Sequence, residues 1–100
     1  MSLETISQTI EDRAMDLAGL NARVVFDMGD DGAVTVDATA MPPAVSEGAD
    51  DADVTIRLSV ENLLKLLAGD LNPTLAYTMG KLKIDGSMGV AMKLAAMLDD

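Results

Sequence analysis

One hundred residues with 49% apolar side chains and a net charge of −10 describe a single small acidic domain, expected over residues 1–100. The absence of cysteine and histidine excludes disulfide frameworks, thiol nucleophiles, histidine–metal sites and any triad that uses imidazole as its base. Acidity with only 2% aromatic residues argues against nucleic acid, which needs a basic stripe and stacking rings.

The N-terminal stretch MSLETISQTIEDR is polar-periodic and acidic, unlike a secretory signal, and no apolar run reaches the ~20 residues that span a bilayer. A cytoplasmic location is expected. Ser2 caps a first helix, Ile6, Ile10, Ala14 and Leu17 recur at helical spacing, and Gly19 closes it. Val24, Phe26 and Met28 then alternate with Arg23, Val25 and Asp27. Asp31-Gly32 reads as a two-residue turn, with Val34 and Val36 resuming the alternation in a β-hairpin.

The Pro42-Pro43 pair leads to a short edge strand at Ala44–Ser46 and an acidic loop, and DVTIRLS forms a further strand. Ser59 caps a helix on which Val60, Leu63, Leu64 and Leu67 share a face, and Gly69 stops it. Asn72, Pro73 and Gly80 serve as cap, first helical residue and stop of the next helix. KLKIDG is a strand with Leu82 and Ile84 inward, and Ser87 caps a final helix. The order is that of an α+β fold.

Most candidate motifs fail on chemistry. DMGDDG resembles the start of a calcium loop but has Gly29 where an oxygen ligand belongs and Ala38 where a bidentate glutamate is needed. Glu47, Asp50, Asp51 and Asp53 form a run that reads as a solvated loop rather than a cation site. Gly86 and Gly89 lack the lysine–hydroxyl pair of a phosphate cradle. Tyr77 reads as an apolar wall residue, with no partner identifiable for a catalytic role. Neither a cofactor nor a metal is indicated, and carboxylate catalysis is the weakest reading.

The final helix stands apart. From Met88 to Leu98 only Lys93 is charged. Met88, Ala91, Met92, Ala95 and Leu98 form one stripe, and Val90, Leu94 and Met97 form another. Leaving the second stripe in water would forfeit ~1.5–3 kcal/mol per large side chain. It must therefore face another helix, a partner chain or a bound lipid, and periodicity alone does not choose.

Ala52 to Leu98 closely resembles the sterol carrier protein type 2 family of lipid-binding domains. The resemblance rests on a leucine-rich helix ending at Gly69, Asn72-Pro73, and the strand Gly80-Lys81-Leu82-Lys83-Ile84 with Gly86. It continues through Met88-Gly89 and Ala91-Met92-Lys93-Leu94. It implies a five-stranded, mostly antiparallel sheet covered on one face by helices, with an apolar tunnel between the layers for a fatty acid, fatty acyl-CoA, sterol or similar amphiphile. It also implies that the final helix walls that tunnel and that the chain is not an enzyme.

Two features depart from the family. The closing Leu98-Asp99-Asp100 differs from the SKL-type peroxisomal address of many eukaryotic members, and the acidity differs from the basic charge of members that transfer lipid to membranes. Helical spacing within the implied frame assigns the walls to Leu63, Leu64, Leu67, Leu75, Met79, Met88, Met92, Ala95 and Leu98. The expectation is a stand-alone, non-catalytic carrier. The alternative is an interaction module of the same fold, its cavity collapsed and its apolar face covered by a second copy or a partner enzyme. Membrane contact turns on whether Lys65, Lys81, Lys83 and Lys93 form a basic patch in the electrically neutral second half.

Overall fold

A computed structural model describes residues 2–98; Met1 and the closing Asp99-Asp100 lie outside the described residues. Ser2 is extended and its hydroxyl accepts the Thr5 amide at 3.2 Å, which starts helix α1 (Leu3–Arg13). Ile6 and Ile10 bury one face of α1. The helix was expected to run on to Gly19. Instead its last turn tightens into a 3₁₀ segment over Ala14–Leu17, a common way for a helix to end, and this turns Leu17 into the core.

Five strands follow: β1 (Arg23–Asp27), β2 (Ala33–Asp37), β3 (Ala44–Glu47), β4 (Val54–Leu58) and β5 (Leu82–Gly86). They form one sheet in the order β3-β2-β1-β4-β5. Three pairings are antiparallel and β1–β4 is parallel. Val24 stands level with Val36 and Val54, and Phe26 with Val34 and Ile56, so one face presents a continuous apolar surface. Val25 points the other way, between Thr35 and Thr55, yet is also buried because it sits on the central strand.

The hairpin connection differs from the expected two-residue turn. Asp27 Oδ1 accepts the Gly29 amide at 2.9 Å, and Gly29 takes φ +65°, opening a 3₁₀ turn over Gly29–Asp31. The side-chain bond of Asp27 thus captures the chain before Asp31-Gly32 can form a tight turn. Met28 N–H bonds the Gly32 carbonyl at 2.8 Å to close the loop.

Three further helices join α1 on the apolar face, as the α+β layout requires. Ser59 and Asn72 cap α2 (Val60–Ala68) and α3 (Pro73–Thr78) by accepting the Asn62 and Leu75 amides at 3.1 and 3.0 Å. Ser87 accepts the Val90 amide at 3.2 Å at the start of α4 (Met88–Leu98). Arg13 ties two helices of this cover together. Its guanidinium pairs with Asp16 at 2.6 Å and donates to the Leu67 carbonyl in the last turn of α2, where positive charge suits the helix dipole.

What covers the nearly all-apolar α4 is now visible. Ala91, Leu94 and Leu98 enter the core, and Val90 and Met97 pack against it. The segment just after α1 lies alongside, with the Met97 methyl 3.9 Å from the point where a side chain on Gly19 would begin. The second stripe therefore faces this chain's own core and the segment after α1. The large apolar residues left uncovered belong to the first stripe: Met88 is 45% and Met92 69% exposed.

Candidate functional site

The uncovered side of α4 borders a groove of about 370 Å³ between α3, β5 and α4. Each wall follows from a local sequence signal. Pro73, fixed at the first turn of α3, is buried at its foot, and Thr74 and Tyr77, one turn apart, face across it. Ile84 comes from β5, inward by the same alternation that buries Leu82. Met88, Ala91, Met92, Ala95 and Ala96 supply the α4 wall. The alanines make the volume, since larger residues at those positions would close it.

Beneath the groove lies a void of about 30 Å³ that shares Pro73, Ile84, Ala91 and Ala95 with it. The void extends the apolar space between helices and sheet to Phe26, Ile56, Leu66, Leu82, Leu94 and Leu98. A space lined this way stays dry. Together the two spaces are what lies between the layers here: a surface groove and a small inner void whose linings share Pro73, Ile84, Ala91 and Ala95.

The lining carries no ionisable side chain apart from the phenol of Tyr77, and its remaining side-chain polar atom is the Thr74 hydroxyl. Such a wall excludes water from a hydrocarbon but supplies no general base and no counter-charge. Charged chemistry lies elsewhere. Arg57 reaches Asp85 at 3.3 Å and Asp27 at 3.9 Å on the other face of the sheet. Beside them Arg23 pairs with Asp37 at 3.3 Å. The Thr39 hydroxyl and then its amide, with a lesser contribution from Arg23, hold the Asp37 carboxyl below its ordinary pKa against an opposing desolvation. In the acidic loop Asp53 accepts the Arg23 amide at 2.9 Å, and among the described residues no three acidic side chains converge as a metal site would require.

Of the nine wall residues expected from sequence, the groove gathers Met88, Met92 and Ala95, and the void adds Leu98. Leu63 and Leu67 are buried in the core, outside the lining of either space, and Leu64 is half-buried on α2. Leu75, 53% exposed on α3, and Met79, 57% exposed just after it, do not line the groove. The reason is helical phase: Leu75 stands two residues from Pro73, and positions i and i+2 do not share a face. Tyr77, read as a wall residue, lines the groove. Pro73, Thr74, Ile84, Ala91 and Ala96 were not named as walls. The Asn72-Pro73 signal, which fixes the phase of α3, and the alternation of β5 could have found the first three.

The model of the SCP-2 sterol transfer family matches residues 3–99. Among known proteins, the chain is 42% identical over 53 residues to bovine (Bos taurus) hydroxysteroid dehydrogenase-like protein 2, covering 53% of this chain and 13% of that protein. It is 54% identical over 43 residues to bovine sterol carrier protein 2, covering 43% of this chain and 8% of that protein. The chain thus spans a small fraction of these relatives' length. Among solved structures, the solution structure of palmitated SCP2L2 from Aedes aegypti superposes with a TM-score of 0.75 at 26% identity. That match covers 100% of this chain and 96% of the other.

Proposed function

The chain belongs to the SCP-2 sterol transfer family, and from that premise we propose that it is a non-catalytic lipid carrier whose α3–β5–α4 groove holds one acyl chain of a fatty acid, fatty acyl-CoA or similar amphiphile. The observation that carries this reading is an apolar groove left open beside exposed Met88 and Met92. Its volume lies within the range of about 300–1,000 Å³ usual for small-molecule sites. The Aedes aegypti neighbour is described as palmitated, which supports an acyl chain as the cargo.

The energetics fit. About fifteen methylenes at ~0.8 kcal/mol each give ~12 kcal/mol gross. Association and ordering cost ~4–15 kcal/mol, so micromolar binding is reached when the site is preformed. Ala95 and Ile84, which line both spaces, would meet the end of the acyl chain, and Leu98 lines the void beneath. Leu63 and Leu67 support the site from the core. A lining with one phenol and one hydroxyl supports binding without catalysis.

Native mass spectrometry of the protein purified from cells tests this. A one-to-one complex with a lipid is expected. A lipid-free dimer would contradict it and favour the interaction module.

A further inference from the structure

Two of the groove's walls are thioethers. Met88 and Met92 stand one helical turn apart on α4, both line the groove, and both are reached by solvent. With only Phe26 and Tyr77 as aromatic residues in the chain, methionine does the covering that aromatic rings do elsewhere. This choice has a chemical consequence. Methionine is the one large apolar side chain that a mild oxidant turns polar, and the product can be reduced again.

We propose that Met88 and Met92 form an oxidation site, and that conversion of their thioethers to sulfoxides by a hydroperoxide expels the apolar cargo. The inference rests on the carrier reading given above. In the reaction the sulfur lone pair attacks the nearer peroxide oxygen. An S–O bond forms as the O–O bond breaks, and the leaving alkoxide (hydroxide in the case of hydrogen peroxide) takes the proton of the transferred hydroxyl to become an alcohol (or water). Sulfur is oxidised by two electrons and the peroxide is reduced by two.

The sulfoxide oxygen is a strong acceptor facing a hydrocarbon, and no lining side chain but Thr74 and Tyr77 can donate to it. Water therefore enters a groove that must be dry to hold an acyl chain. Core methionine Met28 is buried and protected, whereas Met15 and Met41 are 62% and 78% exposed but do not line the groove. These two serve as internal controls: they oxidise readily without touching the cargo.

The test uses hydrogen peroxide as oxidant and a fluorescent fatty acid as cargo, with sites of oxidation mapped by peptide mass spectrometry. Affinity is measured before and after treatment for the parent, for Met88→Leu/Met92→Leu and for Met15→Leu/Met41→Leu. Thermal melts accompany each titration. The expected result is at least a tenfold loss for the parent and for Met15→Leu/Met41→Leu, reversed by methionine sulfoxide reductases. Met88→Leu/Met92→Leu, whatever its starting affinity, should show no further loss. Parent affinity that survives proven oxidation of both groove methionines would overturn the proposal, as would an equal loss in Met88→Leu/Met92→Leu. An untreated parent that binds no fatty acid refutes the carrier reading itself, and the oxidation proposal falls with it.

Discussion

The carbonyl oxygen of Asp53 accepts the Ser87 amide at 2.9 Å and lies 2.6 Å from where any side chain on Gly86 would begin. Gly86 ends β5 at φ +110° and is the corner from which α4 departs along the groove. Gly86→Ala therefore meets backbone strain of about 1–3 kcal/mol and overpacking of similar size against backbone that cannot give way. A melting temperature lower by roughly 8 °C or more is expected. Gly89→Ala, one turn into open space with only Ser87 Oγ at 3.8 Å, should leave it unchanged or raise it. Equal melts for the two variants would show that the corner is not as tight as described.

Asp37 makes an acid-sensitive contact. Its carboxylate is stabilised in the folded chain first by the Thr39 hydroxyl, then by the Thr39 amide and Arg23. A lowered pKa means the folded chain holds the charged form better than the unfolded chain does. This contribution is present above the ordinary carboxylate range and is lost as pH falls below about 4. Thr39→Val removes the hydroxyl and should raise the Asp37 midpoint in an NMR titration. An unchanged midpoint would mean that the amide and Arg23 carry the effect.

Lipid affinity should be flat with pH where stability is not at stake. No histidine or cysteine is present, and no carboxylate, amine or guanidinium lines the groove. For a neutral lipid, affinity measured from pH 5 to 8 is expected to vary less than threefold. A tenfold change would place a titrating carboxylate or lysine in the binding step.

Membrane contact should be weak. Two of the four lysines that could form a patch are engaged elsewhere: Lys65 pairs with Glu61 at 3.2 Å on α2, and Lys83 stands opposite Arg57 on the outer face of the sheet. Lys81 precedes β5, and Lys93 is on α4. With a net charge of −10, flotation with anionic vesicles should recover little protein at low salt. Salt should weaken the repulsion, since screening acts over ~10 Å at 0.1 M. Tight binding at low salt that high salt removes would show a working basic patch.

How much of this was legible in the sequence varies by element. The caps at Ser2, Ser59, Asn72 and Ser87 and the alternation of β5 were plain, because each depends on a few neighbouring residues. The hairpin loop was not, since Asp27 could bond Gly29 or stay free and only the folded loop decides. The groove was half legible. Apolar periodicity marks Leu63 and Met92 alike, although one ends in the core and the other is 69% exposed. Which face of α4 is covered depends on the segment after α1, far away in sequence, and no local pattern carries that information.

Ala95 lines both the groove and the void beneath it, so one substitution there asks the central question. Ala95→Trp places a large ring in space the acyl chain would occupy. If that space holds cargo, a fluorescent fatty-acid titration should show affinity falling at least tenfold, while the melting temperature moves by less than about 4 °C, equivalent to under ~1 kcal/mol. If the space is filled by the protein's own repacking, the ring overpacks a core and costs ~1–3 kcal/mol. A destabilised Ala95→Trp beside a parent protein that binds no fatty acid would contradict the carrier role.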